Sequence, residues 1–256
     1  MIRKVNVKVK HIHPPKRFLP IFLIILLIAF PIYSFSDTPK LAIVKYKGGD
    51  WYSIERAVKN FIRKVNQRTP LKLASEPVFI DLHKRDQLFS LPFLILNGHG
   101  QIILDSEEKE NLKVYLAHGG FLLVNDDYGL ETAFKGLMHD LYPELKLDMA
   151  KSWRDNARGF YKEVNPSIGL AELTNDFPIY RSYYNLKSLP KVHEHDKGVP
   201  PGMYGLFIEK RLVLIYLNNS DLGDGWEPEY VHHDSVKVRE KAIRFGINIL
   251  YYVLSN

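Results

Sequence analysis

The residues best suited to chemistry follow three short apolar runs that are typical of buried strands. Because the carboxyl ends of parallel strands lie along one edge of a sheet, where ligands bind, we expect these residues to converge on one rim. The set combines glycines, carboxylates and one histidine: Gly48, Gly49, Asp50, Gly98, His99, Gly100, Asp126 and Asp127.

Such a rim could serve three kinds of chemistry. The two adjacent aspartates could coordinate a hard cation with Asp50, and His99 would add a nitrogen ligand. The same groups could hydrogen-bond the hydroxyls of a sugar or envelope polymer, with Trp51 and Tyr128 stacking against it. His99 could also act as a general base toward a water held by an aspartate, since the ordinary pKa of histidine lies near neutrality.

A purely structural interpretation accounts for the same residues. Gly98 and Gly100 would serve a sharp turn with positive φ, which leaves His99 as an exposed or capping side chain. Asp126 and Asp127 would cap the helix that follows their strand. The residue types favour the structural role for the glycines and leave both interpretations open for the histidine and the aspartates.

The segment NNSDLGDGWE (218–227) is a second source of ligand groups. Asp221 and Asp224 offer oxygens, and Gly223 permits a tight turn. Trp226 could present a ring face to a ligand. The spacing is not that of an EF-hand, so a loop of turn-forming residues is the preferred interpretation and a part in the ligand rim is the alternative.

The segment KVHEHDK (191–197) brings His193, His195 and Asp196 close together, which raises the question of a zinc site. A further ligand would have to come from His-His-Asp at 232–234. The spacing matches no zinc motif, so exposed loop histidines are the preferred interpretation. We therefore expect no obligatory cofactor, with a divalent cation as the alternative.

The elements that must position these groups follow from hydrophobic periodicity and capping signals. Strands are predicted at 41–47, 77–80, 92–97 and 121–125, and helices at 54–67, 105–118, 130–141 and 236–254. The caps of three helices would be Ser53, Asp105 with Glu108, and Ser235. Strands that alternate with helices of about ten to fifteen residues predict a doubly wound, mainly parallel α/β sheet of the flavodoxin-like kind.

The C-terminal half is less regular. Residues 144–200 are rich in Tyr, Asn and Pro and are predicted to form a loop-dominated insertion with short helices. The run GLFIEKRLVLIYLN (205–218) predicts two strands joined at Glu209 and Lys210. With its 46% hydrophobic residues, the chain from 37 to 256 is long enough to form a single domain with its own core.

The positive net charge of +6 belongs to the N-terminal segment. Residues 1–36 hold six basic side chains and no acidic one, and removing them from the 35 basic residues leaves 29, equal to the 29 acidic ones. Because the remainder of the chain is formally neutral, no nucleic-acid partner is expected.

The same segment, 1–36, has the layout of a targeting signal: a basic stretch, the apolar FLPIFLIILLIAF (18–30), then PIYSFSD (31–37). Ser34 and Ser36 stand where a signal peptidase that cuts before Asp37 requires small residues. An uncleaved membrane anchor is the alternative. Either arrangement predicts export of residues 37–256 to the periplasm or the outer face of the membrane.

Several separated motifs point to a known family. They are GGDW (48–51), NGHG (97–100), EEKENLKVYLAHGG (107–120), FLLVNDD (121–127), GDGWE (223–227) and GINILYY (246–252). In this order, over residues 41–254, they resemble the domain of unknown function 4159 family. The resemblance implies a class I glutamine amidotransferase-like fold and implies no established reaction.

Amidotransferases of that class carry a nucleophilic cysteine on the sharp turn after a central strand. The corresponding turn here would be residues 126–129, which hold no serine, and the whole sequence contains no cysteine. Amidotransferase chemistry is therefore not expected, since a shared fold does not transfer a function across the loss of its nucleophile.

These observations favour an exported, non-catalytic module that binds an envelope component or a protein partner through the strand-end rim. If the leader is not cleaved, the module is also attached to the membrane. The alternative function is a hydrolase of carbohydrate or another envelope polymer, in which Asp126, Asp127 and His99 act with or without a metal.

Overall fold

The apolar runs of the sequence form the strands of one mixed sheet. The computed structural model describes residues 38–157, 167–193 and 198–255. The strands are β1 (Leu41–Lys45), β2 (Lys47–Gly49), β3 (Val78–Asp81), β4 (Phe93–Ile103), β5 (Leu122–Tyr128), β6 (Ile168–Glu172), β7 (Gly202–Ile208) and β8 (Arg211–Asn218). The helices are α1 (Glu55–Arg68), α2 (Arg85–Phe89), α3 (Ser106–Ala117), α4 (Glu131–Leu141), α5 (Trp153–Ala157), α6 (Glu229–His232) and α7 (Val236–Ser255).

The sheet is mostly parallel, with the strand order β3-β1-β4-β5-β8-β7-β6. The pairs from β3 to β8 are parallel, whereas β7 and β6 join as antiparallel strands. The short β2 pairs antiparallel with the far end of β4. The predicted mixed α/β architecture with a central, mainly parallel sheet is confirmed.

Helices cover both faces of the sheet because its parallel strands carry apolar side chains on both sides. In β1, Leu41 and Ile43 pack in one buried cluster with α1 and α7, while Ala42 and Val44 pack in a second cluster with α3 and α4. Full burial of a Leu, Ile or Phe side chain contributes about 1.5–3 kcal/mol. The two clusters hold the C-terminal ends of the parallel strands in fixed positions relative to one another.

Two strands are longer than predicted, and this changes the interpretation of the NGHG and NDDYG segments. Strand β4 continues through residues 97–100 to Ile103, and β5 continues to Tyr128. Gly98 and Gly100 have the expected positive φ, at 133° and 88°. They lie inside a strand, however, because Gly98 pairs with Asp126 of β5 and Gly100 pairs with Gly49 of β2.

The helix signals are confirmed in most cases. Asp105 and Glu108 form the predicted capping box of α3, and the Ser235 hydroxyl accepts a hydrogen bond from Val238 N at the start of α7. Ser53 is not the cap of α1, since it belongs to a 3₁₀ turn (Trp51–Ile54) that precedes the helix.

The predicted insertion contains more sheet than expected. Strand β6 lies within it and pairs with β7 at the edge of the sheet. Between β7 and β8, Glu209 and Lys210 both have positive φ, which confirms the predicted two-residue hairpin.

The leader, 1–36, lies outside the described residues. No helix in the described part of the chain has the length and apolar character that crossing a membrane requires.

Candidate functional site

The strand order reverses between β1 and β4, which makes the crevice beyond their C-terminal ends the expected ligand position in a parallel sheet. Asp50 and His99 meet there. One carboxylate oxygen of Asp50 accepts a hydrogen bond from the His99 amide at 2.6 Å, and the other lies 2.9 Å from His99 Nδ1. The carboxylate therefore fixes both the backbone and the ring of the histidine.

Glycine is required at position 98 for this contact to form. Gly98 has a φ of 133°, and a Cβ there would lie 2.6 Å from the Tyr46 hydroxyl and 2.8 Å from Asp50 Oδ1. Gly49 faces Gly100 across the β2–β4 pair, where a side chain on Gly49 would collide with the His99 carbonyl. The glycines of both predicted segments thus permit the close approach of β2 and β4.

A β-bulge directs Asp127 toward His99. The register jumps from the Gly98–Asp126 pair to the His99–Tyr128 pair, so Asp127 is the extra residue on β5. Its carboxylate lies 3.5 Å from His99 Nδ1.

Asp126 makes different contacts. It is buried, accepts a hydrogen bond from the Tyr216 hydroxyl at 2.6 Å and accepts another from Leu130 N at 2.9 Å. Burial, followed by the charge of Asp126, raises the pKa of Tyr216 well above its ordinary value. Asp126 thus hydrogen-bonds the amide of Leu130, the N-cap residue of α4, but among the described residues no side chain forms the predicted cap of that helix.

A buried pair of asparagines links this crevice to the 218–227 loop. Asn125 donates to the side-chain oxygen of Asn97 at 2.7 Å and accepts from Gly223 N at 3.2 Å. Asp221, in the same loop, has a φ of 47° and is completely buried. The network holds the loop, including Asp224, against the ends of β4 and β5.

Three possible metal ligands meet beside this loop. In what we call the His193 cluster, ligand atoms of His193, Asp224 and His232 all lie within 4.8 Å of one another. Asp224 Oδ2 is 2.8 Å from His193 Nδ1, and its Oδ1 is 3.3 Å from His232 Nε2. All three side chains are partly exposed, so an ion from solvent can reach them.

Two further carboxylates surround His193. Asp221 lies 3.3 Å from its Nδ1, and Asp234 lies 3.2 Å from its Nε2. The other oxygen of Asp234 is buried and has no hydrogen-bond partner within the described ranges. Asp234 therefore sets the ring orientation of His193 while Nδ1 faces Asp224.

The charges in this region are strongly coupled. Burial, then the neighbouring Asp221 and Asp127, raises the pKa of Asp224 above its ordinary value. The hydrogen bond with Asp221 raises the pKa of His193 to about 9, and Asp224 and Asp234 act in the same direction. Protonated imidazole thus supplies the positive charge that the aspartates require.

The pKa of His99 is also set by burial and by neighbouring carboxylates. Burial opposes its protonation, but the hydrogen bond with Asp50 and the charge of Asp127 outweigh burial and raise its pKa.

His99, from the pair with Asp50, and Asp224 and His232, from the His193 cluster, line one cavity, which we call the acidic cleft. It has a volume of about 370 Å³, and its lining includes Asn97, His99, Asp127, Asp224, Glu227 and His232. Residues from β4, β5 and the loops after β8 therefore share one surface that a small ligand can enter.

The sequence profile described as Domain of unknown function (DUF4159) matches residues 40–254. The chain belongs to the DUF4159 family. A comparison with curated proteins finds no match.

In this DUF4159 chain, the predicted rim is only partly brought together. His99 lies against Asp50 and Asp127, and Asp221 lies against His193 of the neighbouring cluster. Gly49, Gly98 and Gly100 permit the close approach that brings Asp50 to His99. Asp126 is directed away, toward Tyr216.

Neither of the two tryptophans that were predicted to stack against a ligand lines the acidic cleft. Trp226 is 1% exposed, stacks on Phe61 with ring centroids 4.3 Å apart and donates to the Ala242 carbonyl, so neither ring face is accessible. Trp51 is half-buried against Phe79 and does not line the acidic cleft.

Of the residues considered for a zinc site, only His193 among the described ones of the 191–197 segment lies in a possible metal-binding group. His193 takes part in a cluster, with His232 and Asp224 as its companions. His195 and Asp196 lie outside the described residues. Asp224 had a part in the ligand rim only as the alternative to a turn-forming role, and His232 belongs to the 232–234 run named as the source of a further zinc ligand. The sequence does not indicate that these two residues meet His193 beside the ends of β4 and β5.

Proposed function

We propose that this chain binds a divalent transition-metal ion at the His193 cluster and uses the ion to hold an oxygen-bearing ligand in the acidic cleft. The observation that carries the proposal is the convergence of His193 Nδ1, His232 Nε2 and a carboxylate oxygen of Asp224 within 4.8 Å. Two imidazoles and one carboxylate suit Zn²⁺ and similar ions, and a three-ligand set leaves a coordination position open.

The surroundings of His193 support this assignment. Metal-binding histidines usually donate the second ring N–H to a carboxylate, which orients the ring. Asp234 stands in that position, 3.2 Å from His193 Nε2. Its buried second oxygen, partnerless within the described part of the chain, adds negative charge next to the ion.

The local charge also favours a cation. Oxygens of Asp127, Asp221 and Asp224 lie within 4.8 Å of one another, and Asp221 is fully buried. Like charges at this separation repel strongly in a partly buried site. A divalent ion would remove that repulsion and release the protons that now compensate it.

The test is the thermal stability of the purified full chain, stripped with a chelator and then titrated with Zn²⁺, Mn²⁺, Ni²⁺ and Mg²⁺. At an ion concentration of 100 Kd, binding stabilises by about 2.7 kcal/mol, which raises Tm by roughly 5–10 °C. His232→Ala removes a ligand and should abolish the rise.

His233→Asn is the matched control. His233 is the exposed neighbour of His232 and has a φ of 56°, a conformation that asparagine tolerates. This variant should respond to metal like the wild type. An absence of any metal response in the wild type, or an equal loss in both variants, contradicts the proposal.

Hydrolysis is a second candidate function, favoured by the Asp50–His99 pair. Asp50 holds the ring of His99 at 2.9 Å, and His99 lines the same cleft as Asp224 and His232. In this role His99 would take a proton from the attacking water, and the substrate would be carbohydrate or another envelope polymer.

Release of reducing ends from envelope polysaccharide by the metal-loaded chain tests this second function. His99→Gln should lower the rate by about 10²–10⁴-fold, while His118→Gln, at the C-cap of α3, should leave it unchanged. If the wild type releases no reducing ends above the rate of His99→Gln, the chain is a binding module.

We also propose a flavodoxin-like, and by resemblance amidotransferase-like, classification of the fold. Its support is the order of the five parallel strands, which becomes 2-1-3-4-5 when they are numbered alone. Cysteine chemistry is not part of the proposal, because the sequence has no cysteine.

We further propose that residues 37–256 act outside the cytoplasm on an envelope component or a protein partner. The support is the basic and apolar layout of residues 1–36. Mass spectrometry of the mature protein should find Asp37 at the N-terminus if the leader is cleaved. A mature chain that begins at Met1 would instead indicate the anchor.

A further inference from the structure

A second cavity lies next to the acidic cleft, and we call it the basic groove. It has a volume of about 830 Å³ and is bounded by α1 and by the segment from Pro228 to Arg239. Its charged and aromatic lining includes Arg56, Lys59, Arg63, Lys64, Arg239 and Tyr230. Arg56 also lines the acidic cleft, so the two cavities are neighbours.

The basic side chains of α1 fall on one face of the helix. Arg56, Lys59, Arg63 and Lys64 are spaced by three, four and one residues, which places them along the side that turns away from the buried cluster. Helical spacing therefore creates a continuous positive strip beside the cleft.

Carboxylates neutralise only part of this strip. Arg56 pairs with Glu227 at 2.8 Å, and Lys59 pairs with Glu76 at 2.8 Å. Across the groove, Arg239 lies 3.6 Å from Glu229, so its charge is also partly neutralised. Lys64 has no carboxylate within ion-pair distance among the residues that the structure describes. Its pKa is lowered by burial and then by Arg63, Arg68 and Arg239, which reflects the crowding of positive charge in the groove.

The rest of the lining suits a sugar chain better than a nucleic acid. Gln67 and Ser75 are exposed polar groups that can hydrogen-bond hydroxyls. Tyr230, at 69% exposure, is the one aromatic side chain in the lining formed by described residues. Binding of a single-stranded nucleic acid calls for a series of aromatic platforms and a strongly basic domain.

We infer that the basic groove binds an acidic polysaccharide, a chain of sugars that carry carboxylate groups, and directs it toward the acidic cleft. Arg63, which makes no ion pair among the described residues, suits the carboxylates because a guanidinium group can form paired hydrogen bonds with them, and Lys64 adds a second positive charge beside it. Arg56 marks the junction at which the chain would enter the cleft. Binding in the groove stands independently, whereas delivery to a bound ion rests on the proposed function.

The test measures the affinity of the full chain for a fluorescent oligogalacturonate by anisotropy, in a chelator so that no metal contributes. A neutral oligosaccharide of equal length and a single-stranded DNA of equal charge are the comparison probes. The oligogalacturonate should bind at least tenfold more tightly than either, and its affinity should fall as salt rises.

The double variant Arg63→Gln, Lys64→Gln should lose at least tenfold in affinity for the oligogalacturonate. Lys47→Gln, Lys84→Gln removes the same charge from exposed positions outside the groove and should bind like the wild type. Equal affinity for the acidic and neutral probes, tighter binding of DNA, or equal losses in the two double variants would overturn the inference.

One further variant distinguishes metal binding at the His193 cluster from polymer binding in the basic groove. His232→Ala should retain the affinity for the oligogalacturonate in the chelator even though it removes a proposed metal ligand. A loss of polymer binding in this variant would contradict the independence of the groove.

Discussion

At Gly98, the absence of a side chain decides whether Asp50 and His99 can meet. Gly98→Ala forces an alanine into positive φ, at a cost of about 1–2 kcal/mol. Its Cβ would also press on the Tyr46 hydroxyl and on Asp50 Oδ1. We expect a total loss of about 2–4 kcal/mol in the free energy of unfolding, measured by urea denaturation.

Gly129 provides the matched control for that substitution. It also has positive φ, at 69°, but no atom lies within 4 Å of the position of its Cβ. Gly129→Ala should therefore show only the cost of the conformation, about 1–2 kcal/mol. Equal losses at the two positions would mean that the contact at Gly98 is not tight.

The adjacent aspartates show what residue types cannot reveal. Asp126 and Asp127 follow the same strand, and their order in the sequence gives no reason to prefer one for the cleft. The β-bulge separates them, because it places Asp127 beside His99 while Asp126 accepts hydrogen bonds from Leu130 N and the Tyr216 hydroxyl. A bulge depends on the partner strand and was not predicted from the sequence of β5 alone.

At the scale of elements, Glu240 of α7 forms an ion pair with Arg68 of α1. Arg68 lies 2.9 Å from its carboxylate and Arg244 lies 2.7 Å away. Burial opposes ionisation, but the hydrogen bonds from Arg244 and Arg68 outweigh it and lower the pKa of Glu240. A lowered pKa contributes stability above the ordinary value of 4.5, and this stability is lost as the pH falls through the folded-state pKa.

Glu240→Gln should therefore destabilise at pH 7 and have less effect as the pH drops below the ordinary carboxyl range. The loss at pH 7 should be under about 1 kcal/mol because the groups are partly exposed. Urea unfolding of wild type and variant at pH 7 and pH 3.5 measures the difference. Glu229→Gln, at a more exposed position, is the control, and a loss that grows toward acid pH would refute the assignment.

Elements with strong local signals were predicted well from the sequence. The periodicity of α1 and α7, the Asp105–Glu108 capping box and the Glu209–Lys210 hairpin all have the expected positions within one or two residues. The extensions of β4 and β5 were missed because Gly, Asn and Asp are disfavoured in strands. Gly98 and His99 are in the strand through their pairing with β5, and residues 100–103 through their pairing with β2; both pairings are tertiary contacts.

At the scale of the whole molecule, the candidate site combines segments that are far apart in the sequence. Asp50, His99, Asp127, His193, Asp224 and His232 come from separate parts of the chain. The strand-end rule predicted the meeting of Asp50, His99 and Asp127. It could not predict the contribution of the 191–234 region, which depends on the buried contact of Asn125 with Asn97 and Gly223.

The distribution of charge likewise appears only in the folded chain. The sequence after residue 36 is formally neutral, with 29 basic and 29 acidic residues. In the structure, three carboxylates (Asp127, Asp224 and Glu227) line one cavity, and basic side chains outnumber carboxylates in the lining of its neighbour. A neutral total therefore conceals two adjacent surfaces of opposite charge, one suited to a cation and the other to an acidic polymer.

The most direct test of the metal site is the anomalous X-ray scattering of crystals grown with Zn²⁺. The account predicts a peak at about 2.0–2.2 Å from His193 Nδ1, His232 Nε2 and an oxygen of Asp224. The group Asp81, His83 and Glu108 is a competing set within the described residues. A peak at that set alone, or no peak at the His193 cluster, would contradict the central claim.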